Sequence, residues 1–469
     1  MLALILLFAY FVSFTDKPGM ATPQLSARAV EQRQKWGIET DEMDYPVNPM
    51  YMDSLRHMGV LIYHQSRWFN GVTCEMDEAK AAEVQALSFV TDVEMTRDSS
   101  SPLYGVEKHK MTAWENVSEI GAWTDEQLAL YNLIPLHDAG FEGQGILMSV
   151  CDVGFYNVNN LGCFRPTQEL GHFDFTDDTQ DFYGSTGTHG MECLSTITGI
   201  QEGYHGAATR ADYYLMRSEE PQTESPKEMD NLVAALEKAD SLGVNVFSAS
   251  LGYYLFYNGQ WDLNKQTNLD GQTTRVSRAA TIAARKGMLV CVAAGNEGDK
   301  PWRTICAPAD ADSILTVGAV DSDSIVGSFS SYGPSSDGRV KPEVCAMGVQ
   351  ATLIYPDGTI RTSSGTSFAT PLMAGLAASL WSALPDENAM QIRERIIRSA
   401  HLYPGHDANN QGGYGIPNAW AAYTMPSPTE IVEHVKTGDT EKPRKVIRGE
   451  QVLIIRHGHI YNLAGQRVE

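Results

Sequence analysis

The stretch Ser364-Gly365-Thr366-Ser367-Phe368-Ala369-Thr370-Pro371 decides how the rest of the chain is read. Gly365 allows a tight turn just before Ser367. Pro371 fits the first turn of a helix, where its missing N–H is no loss. Leu372 to Trp381 follows, with Ala374, Gly375, Ala377 and Ala378 set among Leu and Met. That run is apolar all round and reads as a helix buried in a core. A serine at the mouth of a buried helix sits where backbone N–H groups point outward and the dipole favours negative charge. Such a position suits a nucleophile whose transition state carries an oxyanion.

Upstream, strands and helices alternate. Strands are expected at Ile146–Cys151, Ala211–Arg217, Val244–Leu251, Met288–Ala294 and Ile314–Val320. Helices are expected at His189–Ile200, Ser225–Leu242, Thr273–Arg285 and Glu387–Ala400, the second with Leu232, Val233, Leu236 and Ala239 at helical spacing. This alternation predicts an α/β domain with a parallel sheet covered by helices on both faces. Ligands of such a fold lie outside the carboxyl ends of the strands. Three short motifs fall there. Met148-Ser149-Val150-Cys151-Asp152-Val153-Gly154 ends a strand on Asp152, Gly187-Thr188-His189-Gly190 opens a helix on His189, and Ala293-Ala294-Gly295-Asn296-Glu297-Gly298 places Asn296 just past a strand.

Gly-Thr-Ser-x-Ala-Thr-Pro, preceded in the chain by Asp, His and Asn motifs in that order, resembles the subtilisin-like serine proteases (peptidase family S8). The resemblance implies that Ser367 attacks the scissile carbonyl, that His189 relays the proton and that Asp152 orients the imidazole. It implies an oxyanion hole made of the Ser367 N–H and the Asn296 side-chain amide. It also implies substrate pairing along Ser250-Leu251-Gly252, with Ala293-Ala294-Gly295 as the facing pocket wall. An apolar wall of this kind predicts a preference for large apolar P1 residues, with basic ones tolerated. Glu297 is expected at the rim of that pocket. Three positions depart from the family pattern. Val153 stands where a threonine is usual, Thr186 precedes Gly187 where a histidine is frequent, and Tyr253 replaces a common glycine. No Gly-x-Ser-x-Gly elbow surrounds Ser367, which counts against an esterase or lipase of another fold. A catalytically inactive relative serving as a surface binding protein is the other reading.

The flanks differ from this domain. Leu2 to Phe14 is apolar, long enough for a signal segment and too short to span a bilayer, and its second half also reads as a strand. Residues 1–14 are thus expected to be a signal segment overlapping the first strand. Residues 10–95 form an α+β unit with helices at Ser26–Lys35, Pro46–Gly59 and Glu78–Ala86 and strands at Leu61–His64, Trp68–Thr73 and Phe89–Glu94. Its order resembles the propeptide of secreted Bacteroidetes subtilisin-like proteases, which implies a zymogen whose propeptide inhibits in the same chain. Residues 96–124 hold a serine-rich linker, with self-cleavage expected between about Val93 and Met111. The peptidase domain is expected over 125–426. A linker and small β tail occupy 427–469, with paired strands at Gln451–Arg456 and Gly458–Val468. The tail resembles Bacteroidetes sorting modules, which implies secretion machinery as a partner.

The chain's 469 residues are enough for such a multi-part protein with one large core. A net charge of −23 and the lack of any basic stripe count against nucleic acid as a partner and suit a bacterial protein acting outside the cytoplasm. No Cys-x-x-Cys pair occurs among the seven cysteines, so zinc is not expected. Cys151 and Cys291 are expected as buried thiols, with one or two disulfides open to the rest in an oxidising setting. The expected chemistry needs no cofactor. The acidic run His172–Asp181 reads as a solvated loop, with structural calcium as the alternative.

Overall fold

The computed structural model describes residues 8–17, 22–98, 124–176, 181–184, 187–220, 224–256, 259–428, 444–448, 451–456 and 459–461. Two compact units divide the chain, Met1–Thr424 and Met425–Glu469.

The first unit opens with a four-stranded antiparallel sheet of β1 (Phe8–Phe14), β2 (Leu61–Ser66), β3 (Gly71–Met76) and β4 (Val90–Arg97), in the order β2-β3-β1-β4. The apolar start of the chain therefore supplies the strand that pairs with both β3 and β4; residues 1–7 lie outside the described set. Helices α1 (Ala27–Trp36), α2 (Pro49–His57) and α3 (Glu78–Gln85) start at Ser26, Asn48 and Asp77, whose side chains accept first-turn N–H groups. Tyr10, Val12 and Phe14 alternate inward with Val72, Cys74 and Met76 and pack against Leu55 and Val84. Trp68–Thr73, read as a strand, is a turn over 68–70 and joins β3 only from Gly71. Asn70 takes a left-handed backbone, and Trp68 leaves this sheet to join the core of the larger domain.

After α4 (Asp125–Ala129) and α5 (Ile134–Asp138) the chain builds a seven-stranded, wholly parallel sheet. In chain order its strands are β5 (Leu147–Asp152), β6 (Gln168–Asp174), β9 (Asp212–Arg217), β10 (Val246–Ala249), β11 (Leu289–Ala293), β12 (Leu315–Val320) and β13 (Val344–Met347). The spatial order is β13-β12-β11-β10-β5-β9-β6. The hairpins β7 (Ile200–Gln201) with β8 (Tyr204–His205) and β14 (Ala351–Ile354) with β15 (Ile360–Ser363) lie outside it. The two outer strands had escaped the sequence reading. β6 is polar and alternates half-exposed positions, and β13 is only four residues long.

Leu147, Cys151, Phe247, Ala249, Val290 and Val292 occupy one face of the sheet. They pack against α7 (Pro226–Leu242) and α8 (Arg275–Arg285) through Leu232, Leu236, Val276 and Ala280. The other face is covered by α6 (His189–Thr198) and α9 (Thr366–Ala383), followed by α10 (Ala389–Ser399) and α11 (Ala419–Thr424). Central strands buried on both sides explain their continuous apolar runs. All seven cysteines are buried free thiols, so the disulfides left open by the sequence do not form. Asp174 is exposed, as expected, but ends a strand and pairs with Arg217 instead of lying in a loop; 177–180 lie outside the described set.

The second unit is a three-stranded antiparallel sheet of β16 (Arg444–Arg448), β17 (Gln451–Arg456) and β18 (His459–Tyr461). Arg444–Arg448, read as linker, is its first strand.

Candidate active site

Four neighbouring chain segments converge at the carboxyl edge of the parallel sheet. β5 ends on Asp152, which is fully buried. α6 starts on His189, whose Nδ1 lies 2.8 and 2.9 Å from the two Asp152 carboxylate oxygens. Asp152 Oδ1 also accepts the Val153 N–H at 2.7 Å, so a backbone donor serves where the family's threonine would stand. The two motif glycines make this approach possible. A Cβ on Gly190 would lie 2.5 Å from the Gly154 carbonyl oxygen and 2.8 Å from the Asp152 Cβ, and one on Gly187 would lie 2.8 Å from the Gly154 Cα.

Ser367 is the second residue of α9. The helix begins at Thr366, so Pro371 lies inside it and not in its first turn. Gly365 is extended rather than turned, with its N–H bonded to the Gly348 carbonyl at 2.7 Å. The proline has a local consequence. It cannot donate to the Ser367 carbonyl four residues back. That carbonyl instead accepts the Ser250 hydroxyl at 2.7 Å and the Cys193 thiol at 3.3 Å. Cys193 Sγ is 3.8 Å from His189 Nδ1, and the Phe368 ring lies 5.6 Å from the His189 ring. The histidine and serine elements are thereby tied together. The Ser367 hydroxyl itself donates to the Ser250 carbonyl at 3.5 Å. Among the described residues that carbonyl, not the imidazole, is its partner. A working triad needs the hydroxyl to leave it for His189, and such bonds commonly tighten only with substrate bound.

Asn296 Oδ1 accepts both the Thr366 N–H and the Thr366 hydroxyl, each at 2.9 Å. With two donors on its oxygen, the amide must turn its NH₂ away from the helix. The same side chain therefore caps the nucleophile helix and offers a donor beside it.

Ser250-Leu251-Gly252 extends β10, and Ala293-Ala294-Gly295 extends the adjacent β11. Gly252 is exposed, while Leu251, Ala293 and Ala294 are buried. Tyr253 does not fill the space between the two stretches. It is 1% exposed, pairs its backbone with Ala307 and gives its hydroxyl to Glu219. Cys306 is the residue set between them: a Cβ on Gly252 would lie 2.9 Å from its Cβ, and one on Gly295 2.8 Å from its Sγ. Burial raises this thiol well above its ordinary range. Glu297 is not a rim residue. It is buried and paired with Lys300 at 3.0 Å.

Sequence reasoning missed Cys193, Cys306 and Thr366. Cys193 follows His189 by four residues on one helix face, a spacing visible in the sequence. Cys306 carried no such signal, because a loop returns it to Gly295. Asp152, His189 and Cys193 hold ligand-type atoms within 4.8 Å of one another. The Asp152–His189 hydrogen bond accounts for that grouping without a metal.

Residues 143–415 match the subtilase family of peptidase S8, and residues 9–113 match the peptidase S8 propeptide domain of Bacteroidota. The chain belongs to the subtilase family. Subtilisin NAT of Bacillus subtilis subsp. natto is 27% identical over 437 residues, covering 89% of this chain and 97% of that protein. M-protease of Shouchella clausii is 28% identical over 293 residues, 61% of this chain and 66% of its own length. Among solved structures, MycP1 of the ESX-1 type VII secretion system superposes with a TM-score of 0.54 at 21% identity, covering 70% of this chain and 93% of that one. The prenylagaramide maturation protease PagA gives 0.50 at 24%, covering 62% and 98%. At these identities the two structures show the fold, a parallel-sheet subtilisin-like domain.

Proposed function

We propose that the chain is the zymogen of a serine endopeptidase that acts outside the cytoplasm. The single observation that carries this reading is the hydrogen-bonded Asp152–His189 pair tied through Cys193 to the backbone of Ser367 at a helix start. Ser367 Oγ adds to the scissile carbonyl carbon as its proton passes to His189. The tetrahedral oxyanion receives the Asn296 amide and the Ser367 N–H. Collapse breaks the C–N bond, and the imidazolium gives its proton to the departing amine. Water then enters, loses a proton to His189 and adds to the acyl carbon; the C–O bond to Ser367 breaks and the imidazolium returns the proton to Ser367 Oγ. Asp152 holds the tautomer throughout. No cofactor takes part, and chelation should leave the chemical step intact even if a structural calcium is held elsewhere.

Peptide strands pair with the edge at Ser250-Leu251-Gly252. The N-terminal unit acts as the intramolecular inhibitor, and cleavage of the segment beyond β4 is the first step of its removal; residues 99–123 lie outside the described set. The acidic chain and the Bacteroidota-type propeptide support secretion or surface display, with the C-terminal sheet unit as a contact for the export machinery.

The test is active-site labelling. After linker cleavage and removal of the N-terminal piece, a fluorophosphonate should label the wild-type chain on Ser367, and Ser367→Ala should abolish labelling, peptide hydrolysis and self-cleavage. Absence of labelling in a folded wild-type chain freed of that piece would favour the inactive binding relative.

A further inference from the structure

The N-terminal unit grips the peptidase part at two ends of the same two helices. α7 and α8 start near the carboxyl ends of the strands and run back to the amino ends of β10 and β11, as crossover helices must. At their start, Arg275 lies over the Phe11 ring at 3.8 Å and pairs with Glu94, and Arg97 pairs with Glu220 at 3.2 Å. At their far end a different segment docks. The strap that leaves β1 and returns at α2 crosses there, carrying α1.

The far contact is dense. The Ser26 N–H bonds the Ser241 carbonyl at 2.8 Å. Arg28 donates to the carbonyls of Gly243 and Gly145, each at 3.1 Å, and to Asn245 Oδ1 at 2.7 Å. Arg33 forms a two-pronged bond to Asp240 at 2.8 and 2.9 Å and meets Asp44 of its own strap at 2.7 Å. Lys286 returns the exchange from the peptidase side, to Asp41 at 2.6 Å and Asp44 at 3.0 Å. Arg33, Asp44, Asp240 and Lys286 have side chains no more than 5% exposed. The helix ends are shaped for the strap. A Cβ on Gly243 would lie 2.8 Å from the Ala29 nitrogen, and one on Gly287 2.8 Å from the Ile38 Cδ1.

We infer that the peptidase domain carries a second inhibitor-binding surface, at the ends of α7 and α8 away from the catalytic residues, and that it receives the arginine-bearing helix α1. The inference rests on the zymogen reading. Two contacts on one rigid unit bind as a bivalent ligand: when one lets go, the other holds it in place to rebind. Paired charges at these depths do not separate singly, because each would be left buried without its partner. The strap therefore leaves as a whole or not at all. Cutting the linker leaves an inhibited complex, and full activity waits for the strap to detach or be cut.

The experiment uses the full chain carrying Ser367→Ala, with a site-specific protease sequence placed among residues 99–123. The folded chain is cut, immobilised through its C-terminal part, and release of the N-terminal piece is timed. Arg28→Ala with Arg33→Ala should speed release about 100-fold. A second arm avoids any folding defect: a cleavage sequence inserted between the exposed Glu39 and Thr40 is cut only after folding, and should also speed release. Equal release rates in both arms and in the parent would overturn the inference. Because release is read without activity, failure of the zymogen reading shows separately, as equal fluorophosphonate labelling of the active chain with the N-terminal piece bound and removed.

Discussion

Asn296 serves two purposes with one amide. Its oxygen is committed to Thr366, which leaves its nitrogen free for the oxyanion role proposed above. Asn296→Ala should lower kcat by ~10²–10³-fold, the magnitude known for subtilisin's own oxyanion-hole asparagine. It should also cost about 1 kcal/mol of stability, because the first turn of α9 loses its cap. Steady-state kinetics beside a thermal melt would check both, and an unchanged melt would show that the cap is dispensable. Cys306 lies between Gly252 and Gly295, the two stretches proposed as pocket walls, and Tyr253 does not. Cys306→Gly should move kcat/KM toward bulkier P1 residues by about tenfold, read from a peptide series with Ala, Leu and Phe at P1. The motif made Asn296 legible in the sequence. Nothing local pointed to Cys306, since its neighbours in space are 11 and 54 positions away.

At the scale of elements, the nucleophile helix is set by a proline in its interior. The sequence located this helix but misplaced its first turn, because the Gly-Thr-Ser segment is itself helical from Thr366. Pro371→Ala would restore an N–H able to bond the Ser367 carbonyl, in competition with Ser250 and Cys193. We expect equal or higher thermal stability and a kcat about tenfold lower, because Ser367 would no longer be held to the β10 extension. A variant with full kcat would show that those two contacts do not position the serine. α7 gives the complementary lesson. Its apolar stripe, Leu232 to Ala239, was correctly read as core. Its polar residues Lys227, Asp230, Glu237 and Asp240 are all buried too, under the N-terminal unit.

For the whole molecule, that burial makes stability depend on pH. Burial pushes Asp230 and Glu237 up to about 6, against the pull of Arg275 on the first, where the like charge of Glu94 adds to the rise, and of Arg67 and Ser66 on the second. A carboxyl whose folded pKa is raised favours the folded, assembled state below its unfolded pKa and loses that contribution as pH rises through the folded value. Asp44 is shifted the other way, so it acts only in more acidic solution. The Ser367→Ala precursor should therefore lose of order 2 kcal/mol per raised group between about pH 4.5 and 7. Its melting temperature should fall across that range, and Glu237→Gln should flatten the fall. A temperature rising through pH 6 would contradict the assignment.

The sequence by itself determined the parallel α/β domain, the order of the Asp, His, Asn and Ser motifs and the presence of a separate α+β unit ahead of them. These are carried by short-range patterns: apolar runs, glycines where backbones meet, and caps beside helices. Only the tertiary structure decided which polar face is dry, which cysteine lies between Gly252 and Gly295 and where the strap binds. Each depends on residues far apart in the chain approaching to hydrogen-bond distance, and no local pattern of charge or hydropathy encodes which distant surface will cover it.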